Sequence, residues 1–234
     1  MSIADNLAYI RERIHTAAAR AGRNTEEVAL MAVAKTFPAQ SILDAYEAGQ
    51  RLFGENRVQE FADKVPSLAH LQKAEFHMIG HLQSNKAVKA AELFSAVDSI
   101  DSVRLAERLN AAAETAGKTL DLLVEINIGG EDAKSGIAPE SPELKAILTQ
   151  AQQWQHVRVR GLMTVPPYTE DPEGARPYFR QLRELRDRLA ARNLPQVELS
   201  QLSMGMSHDF EVAIEEGSTC VRIGTAIFGK RPKP

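Results

Sequence analysis

The sequence has one cysteine, Cys220, and one tryptophan among its 234 residues. A single thiol excludes an intramolecular disulfide and is typical of a reducing compartment. No apolar run approaches the roughly 20 residues of a membrane-spanning helix. The polar N-terminus also lacks the apolar segment of a signal peptide. We therefore expect a soluble, cytoplasmic protein that makes no contact with membranes.

A large excess of charge of one sign is also missing. The chain has 28 Lys and Arg against 31 Asp and Glu, a net charge of −3, and this balance predicts no nucleic-acid-binding surface. Hydrophobic residues make up 44% of the sequence, which is enough to bury one large core. Single α/β barrels commonly have this length.

Strand-like apolar segments alternate with helical segments along the chain, and this alternation predicts parallel strands. The predicted strands cover residues 28–34, 51–54, 76–80, 94–100, 120–127, 157–164, 197–203 and 220–223. They predict an α/β fold, a single (β/α)₈ TIM barrel over residues 1–234, with an extra helix at residues 3–20 before the first strand. An open doubly wound sheet is the alternative, but residues 35–38 after the first strand lack the G-x-G-x-x-G turn typical of it.

Capping residues predict where several helices begin. Ser84 is a candidate cap for a helix that ends near residue 92, and Asp101 or Ser102 caps the next one. A further helix is predicted at residues 58–64, and another begins near Ser207.

Lys35 follows the first predicted strand, where its ammonium group loses part of its hydration. Desolvation favours the neutral amine, which is the form that attacks a carbonyl carbon. One interpretation is therefore a Schiff-base lysine. The other is a lysine whose stem lies along the barrel rim and whose amine stays in water. The strand alone does not separate the two.

In this fold, the carboxyl ends of the strands and the loops after them form the active site. The residues there are poor in carboxylates, which argues against a hydrolase with paired acids. His70, His77 and His81 lack the spacing of a zinc site, so no metal is predicted. Cys220 has no activating residue near it in sequence and is interpreted as a small core residue. The strand-end residues include Lys35, Thr36, Asn56, His81, Gln83, Asn127, Thr164, Ser203, Arg222, Gly224 and Thr225.

The loops after the seventh and eighth strands have the features of a phosphate site. Gly205 lets the backbone approach a ligand, and the N–H groups at the start of the following helix favour an anion. Gly224 and Thr225 offer the same after the eighth strand, and barrels often bind phosphate with these two loops. Ordinary helix capping by Ser207 explains the same residues.

Arg222 lies in an otherwise apolar strand, and buried arginine is rare unless it is paired. It contacts either a ligand or a carboxylate such as Glu55 or Glu125. A lysine for an aldehyde, donors for a phosphate and a cation for a ring nitrogen are together what pyridoxal phosphate requires. An arginine beside the pyridine nitrogen leaves that nitrogen unprotonated, so the ring is a weaker electron sink than with an acidic partner.

A set of motifs spread over nearly the whole chain resembles one known family. The motifs are Ala32-Val33-Ala34-Lys35-Thr36, Gly54-Glu55-Asn56-Arg57-Val58-Gln59-Glu60, His77-Met78-Ile79-Gly80-His81-Leu82-Gln83-Ser84-Asn85-Lys86, Lys134-Ser135-Gly136, Gly161-Leu162-Met163-Thr164, Leu202-Ser203-Met204-Gly205-Met206-Ser207-His208-Asp209-Phe210 and Arg222-Ile223-Gly224-Thr225-Ala226-Ile227-Phe228-Gly229. They are similar to the YggS/PROSC family, the pyridoxal phosphate homeostasis proteins.

The resemblance implies a barrel related to the N-terminal domain of alanine racemase and a fold-type III site for pyridoxal 5'-phosphate. Lys35 would form a covalent aldimine with the cofactor, Arg222 would face its ring nitrogen, and Asn56 would line its edge. The role of Lys134 is left open.

The same resemblance implies that Ser203, with the backbone of Gly224 and Thr225, holds the phosphate. It further implies a role in pyridoxal phosphate homeostasis, and so indirectly in amino-acid and keto-acid balance. Candidate recipients of the cofactor are apo-enzymes that depend on it.

Three functions remain open, and we favour a carrier of pyridoxal phosphate without robust catalysis. The first alternative is a small amino-acid racemase or decarboxylase, which needs acid/base groups on both faces of its substrate. Nothing in the spacing of Tyr46, Tyr168 or Tyr178 places one opposite Lys35, and few residues follow the last strand to form a second domain. Because few residues follow the last strand, we also expect a monomer. The second alternative is a barrel that binds another phosphorylated metabolite noncovalently.

Overall fold

The computed structural model describes residues 2–131 and 135–230, and its centre is a barrel of parallel strands. The strands are β1 (Ala29–Val33), β2 (Leu52–Glu55), β3 (Glu75–Met78), β4 (Ala96–Ile100), β5 (Leu120–Glu125), β6 (Val157–Met163), β7 (Val197–Ser203) and β8 (Cys220–Ile223). Each strand pairs with the next in chain order, and β1 also pairs with β8. The predicted barrel is therefore confirmed, and the open doubly wound sheet is excluded.

Helices cover the outside of the barrel and connect its strands. They are α1 (Ile3–Arg20), α2 (Ala39–Glu47), α3 (Val58–Leu68), α4 (Ala87–Leu93), α5 (Val103–Thr115), α6 (Pro142–Gln150), α7 (Arg176–Ala190), α8 (Phe210–Glu215) and α9 (Thr225–Phe228). The extra helix predicted before the first strand is α1. Within the described ranges, no helix combines the length and the apolar character needed to cross a membrane.

The first helix, α1, begins at a capping box. The Asp5 N–H donates to the Ser2 hydroxyl at 3.1 Å, and the Ser2 N–H donates to the Asp5 carboxylate at 2.9 Å. These two bonds satisfy backbone donors that the helix itself cannot pair. Leu7, Ile10 and Ile14 then recur on one face and are buried. The spacing of apolar residues that predicts this helix is therefore the spacing by which it packs.

Alternation along β1 divides the core into two layers. Ala32 packs with the helices in the main apolar core, whereas Met31 and Val33 are buried outside that cluster. Side chains two residues apart in a strand share a face. The series Met31, Val33, Lys35 is therefore directed towards the barrel axis, at the end where β1 terminates.

Some helix boundaries differ from the predictions. Ser84 does not cap α4: it begins a 3₁₀ turn, Ser84–Lys86, and the helix follows that turn. Helix α3 extends past its predicted end at residue 64 and includes Pro66, because the buried Leu68 anchors its last turn in the core. Helix α9 has no counterpart among the predicted helices, since its four residues are too few to show a helical period.

The sequence offers two candidates for the N-cap of α5, Asp101 and Ser102, and the structure shows which of them caps the helix. The Ser102 hydroxyl accepts a hydrogen bond from the Leu105 N–H at 3.3 Å. Asp101 instead lies 3.2 Å from the His81 ring nitrogen Nδ1. The capping prediction is therefore confirmed for Ser102.

Replacing Ser102 by Ala is expected to lower the free energy of unfolding by about 1 kcal/mol, since the Leu105 N–H loses its acceptor. Chemical denaturation followed by circular dichroism measures the change. Ser84→Ala is the matched control: the Ser84 side chain makes no capping bond, so its stability should match the wild type. Equal losses for the two variants would contradict the assignment of the cap.

Candidate functional site

A cavity of about 580 Å³ opens at the carboxyl end of the barrel. It is surrounded by residues that follow β1, β2, β3, β6, β7 and β8, together with strand residues near those ends. Its described lining residues are Val33, Lys35, Thr36, Phe37, Asn56, Ile79, Gly80, Val165, Tyr168, Met206, Ser207, His208, Arg222, Gly224 and Thr225. Both the volume and the position are typical of a small-molecule site in this fold.

Lys35 lies in a tight turn directly after β1. The Ala34 N–H donates to the Gly54 carbonyl at 3.0 Å, which continues the pairing with β2, and the Phe37 N–H donates back to the Ala34 carbonyl at 3.0 Å. Lys35 and Thr36 therefore form the apex of the turn. Lys35 is half-buried and lines the cavity, so its surroundings differ from those of a rim lysine with its side chain in bulk water.

Asn56 and Gly80 form one wall of the cavity. The Asn56 oxygen Oδ1 is buried and has no hydrogen-bond partner among the described residues. A β-carbon on Gly80 would lie 2.9 Å from the Asn56 Cα atom, closer than packed atoms tolerate. Only glycine therefore fits beside Asn56. The unpaired oxygen is an acceptor that a ligand can satisfy, since buried polar atoms are normally hydrogen-bonded.

Arg222 lies deepest among the charged residues of the lining, with 4% of its surface exposed. Its Nη1 donates to the Ser203 hydroxyl at 2.7 Å, and its Nη2 donates to the Thr164 carbonyl at 2.7 Å. These bonds fix the guanidinium at the junction of β6, β7 and β8. Both partners are neutral, so the positive charge stays available to the cavity.

The carboxylates proposed as ion-pair partners of Arg222 have other partners. Glu55 lies 2.7 Å from the Lys64 ammonium, and Glu125 accepts from the Ser135 hydroxyl at 2.8 Å. Burial lowers the pKa of Arg222, and Glu125 is among the acids near enough to oppose this shift. A guanidinium stays protonated in proteins, so the group remains a cation. Among the described residues, hydrogen bonds to neutral groups thus take the place of the ion pair that was one of the two alternatives for Arg222.

The loop after β7 reaches the cavity through Met206, Ser207 and His208. The Asp209 carboxylate accepts from the Met206 N–H at 2.6 Å, and α8 begins only at Phe210. The expectation that a helix begins near Ser207 is therefore wrong by three residues, because a turn closed by Asp209 comes first. The Ser207 hydroxyl instead accepts from the Ala226 N–H at 3.4 Å, so capping of α8 by Ser207 is excluded.

The structure brings five of the six predicted site residues to the cavity. These are Lys35, Asn56, Arg222, Gly224 and Thr225. Ser203 is fully buried, is not among the described lining residues, and accepts a hydrogen bond from Arg222. Its direct role in holding a phosphate stays a prediction. Lys134 lies outside the described residues.

Other strand-end residues lie away from the cavity. His81 and Gln83 line a separate groove with Asp101, and the Asn127 amide bonds to the backbone of Glu131 at 2.9 and 3.2 Å. Cys220 begins β8, and burial raises the pKa of its thiol to about 12. The thiol is therefore protonated at neutral pH, but Cys220 is only partly buried and lies outside the apolar core of the described residues, so its interpretation as a core residue is not confirmed.

Several lining residues escape the sequence prediction. Val33 could have been found by the period of two, because it precedes Lys35 by two residues on the same face. Val165 and Tyr168 lie in the loop after β6, which has no periodic pattern. Tyr168 is 78% exposed at the cavity mouth, and its ring centroid lies 5.6 Å from that of His208. Only the path of that loop through space places the phenol near Lys35.

The charges of the lining define what the cavity can bind. Its described ionisable groups include the cations Lys35 and Arg222, with His208 and Tyr168 at the mouth, and no carboxylate. Such a lining favours an anion. The primary amine of Lys35, which is half-buried in the same lining, can react with a carbonyl carbon. The cavity is therefore suited to an anionic carbonyl compound whose apolar part can pack on Val33 and Ile79.

Comparisons with known proteins identify the family of this chain. Residues 6–232 match the family model of the alanine racemase N-terminal domain. The pyridoxal phosphate homeostasis protein of Aquifex aeolicus is 46% identical, and the match covers 99% of this chain and 99% of that protein. The protein of the same name from Escherichia coli K12 is 44% identical over 98% of this chain and 97% of its own. The structure of Synechococcus elongatus PipY with pyridoxal phosphate bound is 39% identical, with a TM-score of 0.84 over 97% of this chain and 100% of that chain. The chain belongs to the alanine racemase N-terminal domain family and, within it, to the pyridoxal phosphate homeostasis proteins.

Proposed function

We propose that this chain binds pyridoxal 5'-phosphate in the cavity at the carboxyl end of the barrel and holds it as an aldimine on Lys35. It acts in pyridoxal phosphate homeostasis and has no robust catalytic activity of its own. The main observation behind the proposal is that Lys35 and Arg222 line one cavity although they lie near opposite ends of the chain. The pyridoxal phosphate bound to PipY, a relative with the same fold, supports it.

The lining residues fit the polar parts of this cofactor. Lys35 offers an amine for the aldehyde, and the Arg222 guanidinium offers a donor to an unprotonated ring nitrogen. The unpartnered Asn56 oxygen can accept from the ring hydroxyl. Ser207 and the backbone of Gly224 and Thr225 border the same cavity and can donate to a phosphate. We propose that Ser203 acts on this site by orienting Arg222.

The electrostatics and the open mouth favour a carrier over an enzyme. When bound, the cofactor supplies an aldehyde carbon that exchanges between primary amines. Arg222 keeps the ring nitrogen unprotonated, so the ring withdraws electrons weakly. Val165, Tyr168 and His208 are exposed at the mouth, so water and amines reach the linkage. Cleavage of a Cα–H bond is helped by the exclusion of water, which this mouth does not provide. We propose that the protein acts as a cytoplasmic monomer from which apo-enzymes receive the cofactor.

One observation favours the alternative, a fold-type III racemase or decarboxylase. Tyr168 lines the same cavity as Lys35, and a phenol can serve as the second acid/base group that such an enzyme needs. The large exposed fraction of Tyr168 weakens this role, because a catalytic phenol acts best in a closed site. Measurement of Cα–H exchange separates the two functions.

Replacing Lys35 by Ala is expected to abolish both the aldimine absorbance band and the trapping of cofactor by borohydride. The fold should persist, since a half-buried turn residue contributes little to the core. Absorbance and far-ultraviolet circular dichroism of protein mixed with pyridoxal phosphate measure both effects. The control Lys89→Ala, at an exposed lysine paired with Glu92, should keep the band. A reducible adduct that persists in Lys35→Ala would assign the linkage to another lysine, with Lys134 the first to test.

Replacing Arg222 by Ala is expected to weaken pyridoxal phosphate binding by roughly tenfold, or about 1.4 kcal/mol, and to shift the absorbance band. Stability should also fall, by about 1–3 kcal/mol, because the Ser203 and Thr164 oxygens lose a buried donor. Fluorescence titration and thermal unfolding measure the two effects separately. Arg188→Ala, which removes an exposed ion pair with Glu140, is the control. A less stable variant with unchanged affinity and spectrum would make Arg222 a purely structural residue.

Incubation of the cofactor-loaded protein with L-amino acids in deuterium oxide is expected to give only slow Cα deuteration, near the rate with free pyridoxal phosphate. The open mouth and the weak electron sink both disfavour Cα–H cleavage. Proton NMR or mass spectrometry of the amino acids measures the exchange. Deuteration at about 1 per second or faster, lost in Tyr168→Phe, would establish the enzyme and refute the carrier.

A further inference from the structure

Glu55 and Lys64 form a buried ion pair next to the cavity, although neither is among its described lining residues. The Lys64 Nζ lies 2.7 Å from the Glu55 Oε1, and the two side chains are 12% and 0% exposed. Glu55 is the last residue of β2 and directly precedes Asn56, whereas Lys64 projects from α3. The pair therefore joins a helix to the end of a barrel strand, one residue from the site.

The same ammonium also holds the turn that contains Lys35. The Lys64 Nζ donates to the Ala34 carbonyl at 3.0 Å. That carbonyl is also the acceptor that closes the turn, through the Phe37 N–H at 3.0 Å. One ammonium thus contacts both the first residue of the turn and the end of β2. Lys35 lies between Ala34 and Phe37, the two residues whose backbone hydrogen bond closes the turn.

Stability alone is a weak reason for this pair. Removing two charges from water costs several kcal/mol for each ion, and apolar replacements of buried pairs are often equally stable. The Glu55 Oε2 is moreover buried and has no hydrogen-bond partner in the described part of the chain. Burial raises the pKa of the Glu55 carboxyl, although Lys64 opposes the shift. Burial of the pair therefore costs free energy, whereas its geometry is specific. These two features are typical of residues that position their neighbours.

We propose that Lys64 and Glu55 are positioning residues, which fix the turn after β1 and thereby aim the Lys35 amine into the cavity. The inference rests on the proposed function, because linkage of Lys35 to an aldehyde is what the orientation serves. Neither residue touches the cofactor. Their effect passes through the Ala34 carbonyl and the backbone of the turn.

The test compares the full-length protein with Lys64→Met, which keeps an unbranched side chain one atom shorter and removes both of its hydrogen bonds. In the protein without added cofactor, hydrogen exchange followed by mass spectrometry reports the protection of residues 35–37. After mixing with pyridoxal phosphate, absorbance gives the rate of linkage, and borohydride trapping confirms that it occurs at Lys35. We expect faster exchange in the turn and linkage slowed roughly tenfold or more, since a misplacement of about 1 Å can cost up to about 100-fold.

Two further variants separate position from fold. Lys64→Arg keeps a cation with several donors and should recover most of the linkage rate. The double variant Glu55→Gln/Lys64→Met removes the unpaired buried charge, so it should regain stability, yet it still lacks the bond to Ala34 and should remain slow in linkage. Lys89→Met is the matched control at the exposed Lys89–Glu92 pair and should leave exchange and linkage unchanged.

Two outcomes would overturn the proposal. In one, Lys64→Met unfolds more easily but keeps wild-type linkage and wild-type protection of residues 35–37, so the pair only stabilises the fold. In the other, the double variant regains the linkage rate together with its stability. Failure of the proposed function is distinct, because the wild type itself would then show no reducible linkage. The hydrogen-exchange comparison would still decide whether Lys64 holds the turn.

Discussion

Parallel pairing of β1 with β8 is the constraint on which the whole site depends. Met31 lies opposite Arg222 and Ala32 opposite Ile223, so the first and the last strand end at the same rim of the barrel. Without this closure, the turn that contains Lys35 and the strand that contains Arg222 would lie on opposite edges of an open sheet. Closure also removes the exposed strand edges that a sheet must otherwise protect.

Buried charged groups fix the positions of several side chains inside the barrel. Arg222 donates to Ser203 and Thr164, and the Asp98 carboxylate lies 3.1 Å from the His77 ring nitrogen. Burial lowers the pKa of His77, but Asp98 and other nearby acids outweigh that effect and leave it raised. A low-dielectric interior strengthens such bonds and penalises any group left without one. The positions of these side chains are therefore tightly determined. A site that orients an amine and a cation needs such fixed positions.

Local sequence patterns predict the framework well. The limits of β7 and β8 match the predicted limits, and the cap of α5 is one of the two residues, Asp101 and Ser102, that residue type predicts. Strands buried on both faces appear as short apolar runs, and their C-terminal ends locate Lys35, Asn56 and Arg222. The patterns fail where a loop has no period. The start of α8 depends on a turn closed by Asp209, and Tyr168 reaches the cavity through a proline-rich loop, so neither follows from spacing.

The sequence by itself determines the order of strands and helices and the family motifs, because each depends on residue type and local period, and the resemblance carried by those motifs makes Lys35 the candidate for the reactive lysine. Only the tertiary structure decides which partner each buried charge takes. It gives Arg222 two neutral acceptors where the sequence offers Glu55 and Glu125 as partners, and it pairs Glu55 with Lys64 beside the Lys35 turn. These choices depend on distances of a few ångströms between elements that are remote in the chain. Hydrogen bonds and ion pairs are decisive only at such distances, and no local pattern in the sequence contains them.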